Sequence, residues 1–301
     1  MAAAIVLLLV VFGLASEHFL TLTNLKTITS QIPTAIIVAV GMTYVLLIGG
    51  IDLSVGAVLS LASAVLAVAL LRYHVPLPLA ILLAALTGTA AGLINGLIAA
   101  QWSLPSFIVT LGMMEAARGL AFIVTDSQTQ YVGDLIGPIR SASLFGVSAP
   151  FLAAIAIAAA GQFVLSHTAF GRQVVAVGHK EEVAYLSGIA PRRVKLIVFT
   201  LCGALVGLAS VFHTARLSAA DPNTGFGFEL EAIAAVVIGG TSLSGGRGSV
   251  GRSLFGVLVI AILGSGLAQA GAQEPAKRLI TGLVIVAAVI LDRYRRPGAV
   301  A

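Results

Sequence analysis

Gly171–Lys195 reads GRQVVAVGHKEEVAYLSGIAPRRVK and is the one long polar interruption in the second half of a chain that is otherwise almost continuously apolar. It sets Arg172, Lys180, Arg192, Arg193 and Lys195 against only Glu181 and Glu182. Short loops with such an excess of Lys and Arg stay on the cytoplasmic side of a bilayer. Within it, 181–189 reads as a short amphipathic helix with Val183, Leu186 and Ala190 on one face. Glu181 and Glu182 stand at its start, where carboxylates suit the helix dipole, and Pro191 ends it. A compact cytoplasmic helix between two spans has the shape to dock onto a soluble partner. The plainer alternative is a basic loop that only fixes topology.

The composition agrees with a membrane protein. The chain is 58% hydrophobic and 10% charged with a mean hydropathy of +1.06, whereas soluble domains carry about 25% charged residues. The net charge of +5 does not indicate nucleic acid, because the basic residues lie in gaps between apolar runs. Cys202 is the only cysteine, so no intrachain disulfide or cysteine cluster exists. The 33 glycines predict close helix packing through small residues.

In chain order, Met1–Ser16 reads as an uncleaved first span, since a signal peptide would carry a basic start. Phe19–Gln31 reads as a polar connection, and further spans are expected at 34–49, 55–71, 76–100 and 105–124. The long loop Asp126–Ala149 follows, then spans at 150–165 and 194–213. Gly88, Gly92 and Gly96 are four apart, as are Gly203 and Gly207, a spacing that makes smooth ridges for helix contact. Asn95 beside the first ridge reads as a helix-to-helix hydrogen bond. Glu115 and Arg118 share one face and are expected to pair within the bundle, with a polar wall of a pathway as the alternative. No His or carboxylate has ligand spacing with His213, so no metal site is expected.

The apolar run Leu230–Gly240 is short for a crossing of about 20 residues. Spans at 254–271 and 279–291 complete an all-α polytopic bundle of ten crossings, or as few as eight if that run is re-entrant. Both termini then lie in the cytoplasm, with ten Lys and Arg inside and six outside.

Two stretches echo each other. Gly49-Gly50-Ile51-Asp52-Leu53-Ser54-Val55-Gly56 and Gly239-Gly240-Thr241-Ser242-Leu243-Ser244-Gly245-Gly246 share a GG-x-x-L-S-x-G pattern after Val/Ile-rich runs. Both read as helix breaks flanking a pathway, with Asp52 capping the helix that follows. Thr241–Ser249 is glycine-rich but lacks the Gly-Lys-Ser/Thr ending of a nucleotide-binding loop.

These motifs carry a resemblance over nearly the whole chain. GGIDLSVG at 49–56, Asn95-Gly96, FIVTLG at 107–112 with Arg118-Gly119, Ser187-Gly188-Ile189 and AIAAVVIGGTSLSGG at 232–246 resemble the permease subunit of bacterial ribose-type ABC importers, which handle simple sugars and autoinducer-2. Glu182, Ala184 and Gly188 match the E-A-A-x-x-x-G loop of importer permeases, with Val183 in place of the first Ala. His179-Lys180 stands where the family has Gly-Asn, and Glu115 is not part of its pattern. The resemblance implies a single permease domain over 1–301, in which Lys180, Glu181, Glu182, Ala184, Gly188 and Ile189 form the coupling segment of a cytoplasmic loop at 171–195. It implies as partners a second permease, identical or homologous, two copies or domains of a cytoplasmic ATPase, and a solute-binding protein on the outer face. ATP and Mg then belong to the partners, and this chain binds no cofactor and carries no catalytic residue. The alternatives are an ion-coupled secondary transporter, for which Glu115 and Asp52 are the only membrane carboxylates weighed, and a membrane protein that transports nothing.

Overall fold

A computed structural model of the chain describes residues 2–144, 146–273, 275–277, 279–284 and 286. It is a helical bundle. Its helices are α1 (Ala2–Ala15), α2 (Leu22–Gln31), α3 (Pro33–Leu47), α4 (Val55–Leu71), α5 (Leu77–Gln101), α6 (Ser106–Val124), α7 (Gly137–Ser141), α8 (Ala149–His167), α9 (Ala169–His179), α10 (Glu181–Leu186), α11 (Pro191–Leu217), α12 (Phe228–Ile238) and α13 (Val250–Gln269). The strands found are two antiparallel pairs of two-residue segments, Gln130–Tyr131 with Ala219–Ala220 and Ser143–Leu144 with Val147–Ser148.

Five helices, α5, α6, α8, α11 and α13, are long and apolar enough to cross a membrane, and the bent pair α2 and α3 makes a sixth. This is fewer than the eight to ten expected. The shortfall has local causes. α1 and α4 are apolar but only 14 and 17 residues long, α12 has 11, and the end of the expected span at 279–291, from 287 on, with Arg293, Arg295 and Arg296, lies outside the described residues. The connection expected at 19–31 is instead mostly the helix α2, whose N-cap Thr21 accepts the Asn24 amide at 3.3 Å. Pro33 supplies no N–H at the start of α3, and the two helices meet at 45°.

α3 lies at the centre and is buried along almost its whole length. Beside it the two glycine ridges face each other. A side chain at Gly88 would lie 2.6 Å from the Gly207 nitrogen, and one at Gly203 would lie 2.8 Å from Gly92 Cα. α5 and α11 therefore pack antiparallel, backbone on backbone, the close approach that small residues allow in lipid.

The segment before α12 follows α4 without being helical. Ala220 belongs to the same core cluster as Ala62, Leu66 and Leu70 of α4, Ser60 Oγ donates to the Pro222 carbonyl at 2.9 Å, and Gly225 lies against the backbone of Gly56. Residues 222–227 are turns, the first of them closed by Thr224 N donating to Asp221 O at 2.9 Å.

The polar stretch that opened the sequence is two helices, α9 and α10, rather than one. α10 ends in a left-handed glycine cap: Gly188 has φ +81°, Gly188 N donates to Tyr185 O at 3.0 Å and Ile189 N to Ala184 O at 3.1 Å. That is the bonding of a Schellman motif, which ends the helix before Pro191 is reached. Lys195 Nζ holds Glu181 Oε2 at 2.6 Å, tying the start of α10 to α11.

Candidate functional site at the paired helix breaks

The two echoing motifs come together. α3 ends with Gly50 N donating to Val45 O at 2.9 Å and Gly49 N to Leu46 O at 2.9 Å. α12 ends with Thr241 N donating to Val236 O at 3.2 Å and Gly240 N to Val237 O at 2.8 Å. The left-handed cap residues are Gly49 and Gly240, at φ +72° and +92°, so the caps are one residue out of step with the sequence echo. Past the caps the echo is in step: Ser54 N donates to Asp52 Oδ1 at 2.9 Å, and Ser244 N to Ser242 Oγ at 3.2 Å. Both motifs are a capped helix end followed by a side-chain-stabilised turn.

Where they meet, a third backbone joins them. Gly246 N donates to Leu47 O at 2.8 Å. A side chain at Gly245 would lie 2.9 Å from Gly49 N and 2.7 Å from Gly178 O, and one at Gly178 would lie 2.6 Å from Gly246 N and overlap the Leu47 carbonyl. Gly178 is the penultimate residue of α9. The junction of Gly49, Gly178 and Gly245 therefore puts the α9–α10 pair in direct backbone contact with both interruptions. Gly178 had no signal in the sequence beyond being a glycine near a helix end. Gly239 serves a different contact, with Ser253 Cα 2.6 Å from where its side chain would be, and Thr43 Oγ1 donates to Ser253 Oγ at 2.8 Å.

Asp52 is 2% exposed and accepts the Ser54 amide and, at 2.6 Å, the Ser54 hydroxyl. It shapes the turn before α4, whose N-cap is Ser54; the sequence reading had Asp52 itself as the cap. Asn95 Nδ2 donates to Ser54 Oγ at 3.0 Å, linking α5 to this turn. The break's own backbone is bonded by α6: Ile51 N donates to Ser106 Oγ at 2.9 Å and Leu53 N to Thr110 Oγ1 at 3.1 Å. Non-helical backbone at membrane depth requires such partners. Ser106 and Thr110 escaped the sequence reading, although their spacing of four on one helix face was the available signal. Asp52→Asn keeps the accepting oxygen, and near-normal membrane abundance is expected. Asp52→Leu leaves two donors unpaired, a loss of about 2 to 6 kcal/mol at 1 to 3 per group, seen as a sharp fall in detergent-extracted protein.

Arg118 corrects the expected ion pair. Its Nη1 donates to the carbonyls of Pro222, at 3.1 Å, and Thr224, at 2.5 Å, and its guanidinium lies 4.0 Å over the Phe226 ring. Glu115 forms no salt bridge among the described residues and is exposed. The physical reason is the run of turns before α12. Its carbonyls lack helical partners, and a guanidinium offers several donors in a fixed fork. Arg118→Lys should therefore destabilise the protein more than Glu115→Gln, which breaks no salt bridge among the described residues. Thermal unfolding of both variants in detergent checks the order.

On α10, Ala184 is buried, while Val183, Tyr185 and Leu186 are 52%, 68% and 78% exposed. The face expected to carry Val183 and Leu186 thus points away from the bundle. Apolar side chains so exposed outside the lipid-facing spans mark a contact surface. Lys180, Glu181 and Glu182 are exposed beside it.

With this geometry in hand, comparison with known proteins is informative. The family described as branched-chain amino acid transport system / permease component matches residues 24–289. The chain is 38% identical to the ribose import permease protein of Escherichia coli K12, over 97% of this chain and 92% of that protein. It is 38% identical to the ribose import permease protein of Bacillus subtilis 168, over 96% and 90%, and 36% identical to the D-allose transport system permease protein of Escherichia coli K12, over 95% and 89%. No solved structure matches. The chain belongs to this permease family: it is a multi-pass inner-membrane protein, the translocation subunit of an ATP-driven importer and not an enzyme.

Proposed function

We propose that the imported solute is a simple sugar, and that an ATPase docked on Lys180–Ile189 drives its passage by moving the two glycine breaks. What carries the mechanism is the junction of Gly49, Gly178 and Gly245, because a push on the cytoplasmic helices reaches both interruptions without an intervening flexible side chain. In this reading 171–195 is the coupling loop. Gly49, Gly50, Asp52, Ser54 and Gly56 form one gating break, and Gly239, Gly240, Ser244 and Gly245 form the other. The sugar class rests on near-full-length similarity to permeases named for ribose and D-allose, where the family's own description names branched-chain amino acids.

The finer architecture belongs to the same proposal. α1, the bent pair α2 and α3, α4, α5, α6, α8, α11, the run of turns that leads into α12 together with that helix, and α13 give nine crossings, and the apolar stretch from 279 onward gives the tenth. The chain works beside a second permease, two ATPase copies or domains and an external solute-binding protein. The test is uptake by the complete complex of labelled D-ribose, D-allose, L-arabinose and leucine. ATP-dependent uptake of at least one sugar and not of leucine is expected; uptake of leucine alone overturns the sugar assignment.

A further inference from the structure

α6 turns a face outward that does not suit lipid. The helix runs 19 residues, Ser106–Val124, a rise of roughly 28 Å against a hydrocarbon core of about 30 Å. Glu115 is its tenth residue and so stands near the bilayer centre. The side chain is exposed and forms no salt bridge among the described residues. Arg118, one turn away, is held by the carbonyls of Pro222 and Thr224. A carboxylate turned toward acyl chains at that depth is costly, and such groups ordinarily face a partner or a water-filled space.

The residues around Glu115 share its face without covering it. Gly112 and Gly119 lie one turn to either side, and a side chain added at either would meet nothing within 4 Å. Ala116 beside them is exposed. The large apolar side chains of this face, Ile108 and Ile123, stand toward the helix ends. α5 is built the opposite way, with Leu82, Leu86, Leu93 and Ile94 exposed through its middle. Acyl chains are matched by bulk at the centre of a helix, as in α5; a carboxylate between two glycines is matched by water. The glycines also leave room on both sides of the carboxylate for a solute to lie against it.

An aromatic ring completes the surface. The Arg118 guanidinium lies 4.0 Å over Phe226, which fixes that ring beside α6, and Phe226 is exposed. An ionised carboxylate accepts hydrogen bonds from hydroxyls and donates none, and a ring nearby offers an apolar surface. A few polar groups set beside apolar walls is the usual make-up of a small-molecule site, and this pair fits the hydroxyls and the C–H face of a sugar.

We infer that the central outer face of α6 is a wall of the solute path, with the second permease across from it, and that Glu115 accepts hydrogen bonds from the sugar in passage. The inference deepens the sugar-importer reading and rests on it.

The test uses the complete importer in lipid nanodiscs during ATP turnover. Gly112→Cys places a thiol in open space one turn from Glu115, Leu86→Cys places one on the apolar face of α5, and the native Cys202 is fully buried. A sulfonate-bearing methanethiosulfonate reagent, which does not enter hydrocarbon, is added with and without D-ribose, D-allose or L-arabinose, while uptake of each sugar by the same complex is followed in liposomes. Gly112→Cys is expected to react more than about ten times faster than Leu86→Cys, and the imported sugar to slow it. Adding Glu115→Gln should raise the half-protecting sugar concentration about tenfold, the loss of one charge-assisted hydrogen bond. Equal rates at the two positions overturn the aqueous wall. Fast labelling that a saturating imported sugar leaves unchanged, or a half-protecting concentration that Glu115→Gln does not move, overturns the contact with the sugar. Each of these results spares the importer reading, whereas failure to import any of the three sugars removes the sugar assignment beneath the inference.

Discussion

With Gly178→Val, the importer is expected to hydrolyse ATP while moving little solute. A side chain there overlaps the Leu47 carbonyl and crowds Gly246 N, so α9 must lift off the junction or push both glycine breaks apart. Overpacking of this kind costs about 1 to 3 kcal/mol. Applied to the equilibrium between conformations of the pathway, that is a factor of roughly 5 to 150. The substitution leaves α10 and its exposed face untouched, so the ATPase should still copurify. Measuring hydrolysis and uptake side by side on reconstituted complexes checks the expectation, and wild-type uptake per ATP would refute the junction's role.

The second large effect concerns the bundle itself. Gly203→Leu drives a branched side chain into the Gly88 carbonyl and Gly92 Cα, and both obstacles are backbone that cannot rotate aside. A loss of at least about 3 kcal/mol is expected, a large share of a typical total stability of about 5 to 15 kcal/mol. Little folded protein should be recovered from membranes. Gly112→Leu, at a glycine with no atom within 4 Å of an added side chain, should fold normally within the single chain. Similar recovery of the two variants would mean that α5 and α11 do not meet through their glycine ridges.

Those ridges were legible because spacing by four is a property of one helix, and helices present such rows whatever their partner. The helix breaks were legible for a related reason: Gly-Gly before Asp52-Leu53-Ser54 announces a cap and a turn locally. What the chain could not reveal were contacts between residues far apart in sequence. Arg118 looked like the partner of Glu115 three residues away, yet the carbonyls it serves belong to 222 and 224, in a run of turns far away in sequence. The contacts of Gly178 are products of packing alone, made with residues of α3 and of the loop after α12. The outward face of α10 was half visible, since the pattern grouped Val183 with Leu186 but gave no sign of which side met the bundle.

The most direct test of coupling through the cytoplasmic helix is a reconstitution of the permease with its ATPase and solute-binding protein, comparing wild type with Val183→Glu/Leu186→Glu and Gly188→Asp. Both altered positions of the double variant are exposed in the single chain, and Gly188 has open space around it but a left-handed backbone that disfavours most other residues. Inserted, folded permease is expected in each case, with ATPase copurification lost or hydrolysis freed from uptake. Full recruitment and fully coupled uptake in both variants would contradict coupling through α10.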